Sequence, residues 1–97
     1  MEELRFEWDE RKNRTNLRKH GVSFEEARTS FFDENAIQFF DPDQSEDEER
    51  FIIPGMSVEL RILVVCHCFR ESETVVRIMS ARKADKREER QYRRRQT

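Results

Sequence analysis

The chain predicts an α+β domain: an antiparallel β-sheet, two N-terminal helices on one of its faces, and a basic helix at the C-terminus. Three observations carry that prediction. Helix caps and stops gather in the first third, at Asp9, Gly21 and Ser23. Apolar, β-branched runs fill the middle and recur at short intervals, which suits an antiparallel meander. From Arg82 to Arg95, eight bases (82, 83, 86, 87, 90, 93, 94, 95) stand against three acids (85, 88, 89), behind a capping pair. Ninety-seven residues, 35% hydrophobic and 41% charged, allow one domain spanning residues 1–97. Such a chain can build a single-layer core but no large enclosed active site.

Leu4, Phe6 and Trp8 alternate with Arg5 and Glu7, the pattern of a short half-exposed strand. Asp9 is placed to cap a helix running to about Lys19. Leu17 is the one large aliphatic residue of that helix, so tertiary contacts must hold it in place of an apolar stripe. Gly21 stops it, since glycine alone takes a positive φ without penalty. Ser23-Phe24-Glu25-Glu26 reads as a capping box opening a second helix. Phe24, Ala27, Phe31 and Phe32 fall on one face of it, as core, with Val22 as a staple before the cap.

Ala36 to Phe40 is expected as a strand, ended by Asp41-Pro42-Asp43 and an acidic turn to about Glu49. Arg50 to Ile53 is the next strand, with Pro54-Gly55 as its stop. Leu60 to Phe69 is apolar on both faces and predicts a central strand covered on both sides. Arg70 to Glu73 forms the hairpin connection to a strand beginning at Val75. Asp85, with Glu88 three residues on, caps the last helix, and residues from Arg93 to Thr97 are expected to fray.

The net charge of −2 hides a strong segregation. Eight acids lie between Asp33 and Glu49 with no Lys or Arg among them. The basic end suits nucleic acid, whereas the acidic loop is a solvated loop, a shield for the bases, or a contact for a basic partner. No apolar run is long enough to span a membrane and no signal-peptide core is present, so the cytoplasm is the expected compartment. Cys66 and Cys68 point to one face of their strand and His67 to the other, so the three cannot converge on one metal. Gly21 and Gly55 are the only glycines, which excludes a phosphate-cradling glycine loop. Neither a metal nor a cofactor is expected.

What remains is a set of cations, one tyrosine and two histidines around a sheet. That set suffices for RNA cleavage in which the substrate's own 2′-OH is the nucleophile. Arg77 interrupts the apolar strand after Val75 and either clamps a phosphate or pairs with an acid across the sheet. His67 either exchanges a proton or sits satisfied in the core. Tyr92 either stacks on a base and donates a proton, or packs under the last helix. Arg50, Arg82 and Lys83 would steer and hold the RNA backbone. Lys19 joins them, or with His20 complements the end of the first helix.

Phe6-x-Trp8-Asp9-x-x-Lys12-Asn13-x-x-Asn16-Leu17-x-Lys19-His20-Gly21-Val22-Ser23-Phe24-Glu25-Glu26-Ala27 resembles the N-terminal signature of BrnT toxins. Arg77-Ile78-Met79-Ser80-Ala81-Arg82-Lys83-Ala84, with Glu88, Glu89 and Tyr92 behind it, resembles their C-terminal signature. The resemblance implies a RelE-like fold and the toxin of a type II toxin–antitoxin pair, a ribonuclease that shuts down translation. It also implies a cognate BrnA-type antitoxin, a dimer with a ribbon-helix-helix element through which operator DNA is bound. It points to Arg77 and the Arg82-Lys83 pair as functional positions, and places Tyr92 where this fold group sets a C-terminal aromatic. His67 belongs to no motif of the family, and the acidic 41–49 loop and Cys66-His67-Cys68 depart from its pattern. The competing readings are a non-catalytic co-repressor subunit beside a DNA-binding partner, and a basic helix that binds nucleic acid by itself.

Overall fold

The computed structural model describes residues 4–44 and 47–95. Its elements run β1 (Arg5–Glu7), α1 (Glu10–His20), α2 (Phe24–Thr29), a 3-10 turn (Ser30–Phe32), β2 (Phe39–Phe40), a second 3-10 turn (Pro42–Gln44), β3 (Phe51–Met56), β4 (Ile62–Arg70), β5 (Val75–Lys83) and α3 (Lys86–Arg94). The strands form one five-stranded sheet in the order β1-β5-β4-β3-β2.

The local punctuation follows from side-chain chemistry. Asp9 accepts the backbone N–H groups of Arg11 and Lys12 and caps α1. Gly21, at φ 70°, returns its N–H to the carbonyl of Leu17 and ends it. Asp85 and Glu88 form a reciprocal capping box at the start of α3. Ser23 caps α2 through the N–H of Glu26, but the second arm of the expected box is absent. Glu26 turns away to accept from Arg61 and from the hydroxyl of Ser57 at 2.7 Å, so its carboxylate has no reach left for the cap.

Three expectations are corrected. The sheet is mixed, not antiparallel throughout: β2 to β5 form the antiparallel meander, but β1 pairs with β5 in parallel. A three-residue strand about seventy positions away from its partner leaves no local trace of direction. Pro54-Gly55 does not stop β3, which runs through to Met56 opposite Ile62. Pro54 is tolerated because β2 reaches only Phe51 and Ile52, leaving Pro54 with one strand neighbour. Gly55 is needed because the first 3-10 turn packs on its backbone; a Cβ there would lie 2.6 Å from the carbonyl oxygen of Ser30. The strand expected over 36–40 is only Phe39–Phe40. As for the expected fraying, α3 continues to Arg94, while Gln96 and Thr97 lie outside the described residues.

The core fills one face of the sheet. Val22, Phe24 and Ala27 pack on Ile53, Leu63, Val65, Val76, Ile78 and Ala81, with Phe6, Trp8, Phe31 and Phe69 against them. Helix α1 contributes almost no apolar burial; Leu17 is 50% exposed, and the buried side chains of α1 are Asn13 and Asn16. Both are bracketing amides. Asn13 accepts the N–H of Phe24 at 2.8 Å and donates to Glu25 at 2.9 Å. Asn16 donates to the carbonyls of Val22 and Ala81, each at 2.8 Å, and accepts the N–H of Ala81 at 3.2 Å. Where β1 has ended, Asn16 takes the place of a strand on the free edge of β5.

Helix α3 lies over the other face. A groove there is walled by Ile52, Pro54 and Val64 of that face, by Glu88 and Gln91 of α3, and by Arg95 at the C-cap of α3. Tyr92, 1% exposed, anchors the helix by donating its hydroxyl to the carboxylate of Asp33.

Candidate nucleic-acid interface

Side chains opposite one another on neighbouring strands share a face. The pairs Ile52–Cys66, Pro54–Val64, Val64–Arg82, Cys66–Ser80 and Cys68–Arg77 therefore lie together on the face away from α2. Arg77 and Arg82 are five residues apart, and plain alternation would put them on opposite faces. A β-bulge decides otherwise. Cys66 pairs with Ser80 while the next residue, His67, pairs with Ile78, leaving Met79 as the extra residue of β5. The bulge resets the alternation, keeps Arg77 and Arg82 on one face, and turns both Met79 and Ser80 toward the same cleft.

That cleft measures about 320 Å³. Its apolar floor is Ile52, Val64 and Met79, and its polar wall is Lys12, Arg50, Arg82, Ser80 and Cys66, with Asp41 the one acid. Arg82 forms a two-pronged pair with Glu88, at 2.7 and 2.9 Å. The Glu88 hydrogen bond holds the Arg82 guanidinium above its ordinary pKa, and the Arg82 guanidinium holds the Glu88 carboxyl below its own. One oxygen of Glu88 also accepts the N–H of Asp85, so the pair locks β5 to the cap of α3.

Next to the cleft runs a chain of alternating charges. Arg77 donates to Glu7 of β1 at 2.8 Å, and Arg70 reaches the same carboxylate at 3.5 Å. Arg70 also stands 3.8 Å from Glu48, which is 3.7 Å from Arg50. Arg77 thus both pairs with an acid across the sheet and faces the open side, its side chain 27% exposed. Exposed pairs of this kind contribute about 0–1 kcal/mol each, so their carboxylates are easily displaced by another anion.

The structure brings Arg50, Arg77 and Arg82 to one face and separates the other expected residues from them. Lys83 alternates to the opposite face, paired with Leu63, and acts through space on Glu26. Lys19 stands exposed in the last turn of α1, outside the cleft lining. His67 has no exposure and sits on the core face among Phe31, Phe51 and Phe69, hydrogen-bonded to Gln38 at 2.8 Å. Burial pushes its pKa down to about 4, so it stays neutral near pH 7, and of its two expected roles the satisfied core histidine is the one its surroundings favour over proton exchange. Tyr92 is buried beneath α3 with its hydroxyl committed to Asp33. Burial opposes ionisation of Asp33, but the N–H of Met56, the Tyr92 hydroxyl and the N–H of Asn35 together hold its carboxyl below the usual range. Burial raises the pKa of both thiols, so Cys66 and Cys68 are neutral and weakly nucleophilic at neutral pH.

Sequence reasoning missed Lys12, Glu7 and Glu48. Lys12 had a legible signal: it precedes Asn16 by one helical turn, and a buried asparagine marks the side of α1 that meets the sheet. The two glutamates reach the site through strand pairing and loop return, which no local pattern reports.

Residues 8–88 match the model of a family described as the ribonuclease toxin BrnT of type II toxin–antitoxin systems. The crystal structure of the Brucella abortus ribonuclease toxin BrnT is similar, with a TM-score of 0.63 and 25% sequence identity. The match covers 86% of this chain and 99% of that one. No curated protein sequence matches the chain. Among the described residues, no helix is long and apolar enough to cross a membrane.

Proposed function

The chain belongs to the BrnT family of type II toxin–antitoxin ribonuclease toxins, and on that premise we propose that it is a metal-independent endoribonuclease using the open sheet face as its RNA site. The observation that carries this reading is the bulge at Met79, which gathers Arg77 and Arg82 onto the face that also bears Arg50. A bent RNA strand laid across that face would exchange the carboxylates of Glu7, Glu48 and Glu88 for its own phosphates. Guanidinium groups suit this exchange, since their fork matches two phosphate oxygens.

In the cleavage step the 2′-oxygen bonds to the adjacent phosphorus, the bond to the 5′-oxygen breaks, and a proton moves from the nucleophile to the leaving group. Arg77 would stabilise the charge that develops on the phosphorane oxygens, with Arg82 and Arg50 holding the flanking phosphates. Lys83 and Lys19 would extend the electropositive field beyond the cleft. His67 and Tyr92, both buried, are assigned structural parts: His67 fills the aromatic core, and Tyr92 fixes α3 over the sheet. The helix pair followed by a strand meander and a capped basic helix supports grouping the fold with RelE-like toxins. The partner is proposed to be a BrnA-type antitoxin with a ribbon-helix-helix element that carries operator binding, and the site of action the cytoplasm.

The test is purified chain incubated with a defined RNA in the presence of EDTA. The reading expects discrete fragments ending in 2′,3′-cyclic phosphate and 5′-hydroxyl groups, and no cut where a 2′-deoxy nucleotide replaces the cleaved position. Arg77→Ala should abolish cutting with an unchanged circular dichroism spectrum, because Glu7 keeps Arg70 as a partner. Intact RNA with wild-type chain, alone or with ribosomes, would favour the co-repressor subunit instead.

A further inference from the structure

The cleft holds three cations, and they are not equivalent. Arg82 is engaged by Glu88, and Arg50 by Glu48. The Lys12 ammonium makes no ion pair among the described residues; the residue's backbone N–H bonds the capping carboxylate of Asp9, and its charge acts on that carboxylate only through space. Its side chain is exposed, yet its root is fixed. Helix α1 is capped at Asp9 and clamped by Asn13 and Asn16, and Asn16, one turn on, is bonded to the backbone of Ala81 beside Ser80 and Arg82. A surface lysine held over a polar cleft, with no carboxylate paired to its ammonium among the described residues, is poised for an incoming anion.

We propose that Lys12 is a phosphate-binding residue: its ammonium takes a backbone phosphate of single-stranded RNA seated in the cleft beside Arg82 and Ser80. This rests on the ribonuclease reading for the identity of the anion but not for the existence of the contact. Arg82 and Arg50 must release a carboxylate before they can grip, whereas Lys12 grips without exchange. It therefore makes the first contact, and its loss weakens capture of RNA more than the other steps.

The experiment measures fluorescence anisotropy of a labelled 2′-O-methyl oligonucleotide, which cannot be cleaved, against the full chain across a salt series. One phosphate contact contributes about 0.7 to the slope of log affinity against log salt for a single strand. Lys12→Met should lower the slope by that amount and weaken binding about three- to tenfold at low salt. Lys12→Arg should restore both, and Arg14→Met, on the far side of α1, should leave the loss absent despite the same charge change. An unchanged slope in Lys12→Met, an equal loss in Arg14→Met, or no binding by wild type would each overturn the proposal. RNA cutting by wild type with no effect of Lys12→Met on binding would sink Lys12 and leave the ribonuclease reading standing. Binding that depends on Lys12 in a chain that cuts nothing would do the reverse.

Discussion

Replacing Asn16 by leucine tests the account of how α1 is held. The substitution keeps the branched four-atom skeleton of asparagine, with bulkier methyl groups at its tips, and removes all three amide hydrogen bonds. It leaves the N–H and C=O of Ala81 and the C=O of Val22 without their partner, in a place where Asn16 is 6% exposed and Ala81 1%. Leaving a buried polar group unsatisfied costs about 1–3 kcal/mol, the N–H more than a carbonyl with a second lone pair. Allowing for the apolar surface that leucine buries, the net loss is about 3 kcal/mol. A domain of this size has a total stability of about 5–15 kcal/mol, so such a loss is large. In thermal melting it corresponds to a fall of roughly 12–24 °C. Urea titration followed by circular dichroism should show a lower midpoint at an unchanged slope. Leu17→Ala is the contrast: it truncates the large aliphatic residue of the same helix, but that residue is half exposed, and the cost should be within about 0.5 kcal/mol. If Asn16→Leu is as mild as Leu17→Ala, the idea that amides rather than apolar burial dock α1 is wrong.

Stability should also fall as pH drops from about 6.5 to about 4, because the unfolded chain protonates His67 in that window and the folded chain does not. The loss should be on the order of 3 kcal/mol, and His67→Phe should flatten that part of the profile, leaving the steeper loss below it where Glu26, Glu88 and Asp33 protonate. Gly55→Ala should cost about 1–3 kcal/mol in denaturant titration, since its Cβ meets the backbone of Ser30 and not a flexible side chain. Tyr92→Phe removes a charge-assisted hydrogen bond and should cost about 1.5–3 kcal/mol. Hydrogen exchange should then quicken in α3 while β4 and β5 stay protected; equal quickening everywhere would mean that Tyr92 is general core and not an anchor.

Features specified by neighbouring residues were legible in the sequence. The caps at Asp9, Ser23 and Asp85 and the stop at Gly21 depend on side chains reaching backbone a few positions away. The parallel placement of β1, the continuation of β3 through Pro54-Gly55 and the half-made cap at Ser23 depend on partners that chain folding brings from afar. The site divides the same way. Arg77 stood out because a charge inside an apolar strand is conspicuous anywhere. That Arg82 joins it and Lys83 does not depends on one inserted residue, Met79, which has no signature of its own. His67 and Tyr92 stand out in the sequence by their chemistry alone, and burial is the property that composition conveys least.

The two outermost strands of the sheet are its shortest, three residues in β1 and two in β2. The nine-residue strands β4 and β5 are interior, and beyond β1 the rim of β5 is occupied by Asn16. A second polypeptide seeking to extend the sheet would find at either margin too few free backbone groups to build a lasting ladder. The apolar strands that could nucleate fibrils are therefore sequestered by topology, and a chain with only 35% hydrophobic residues can keep its most aggregation-prone segments inside without spending surface charge to guard them.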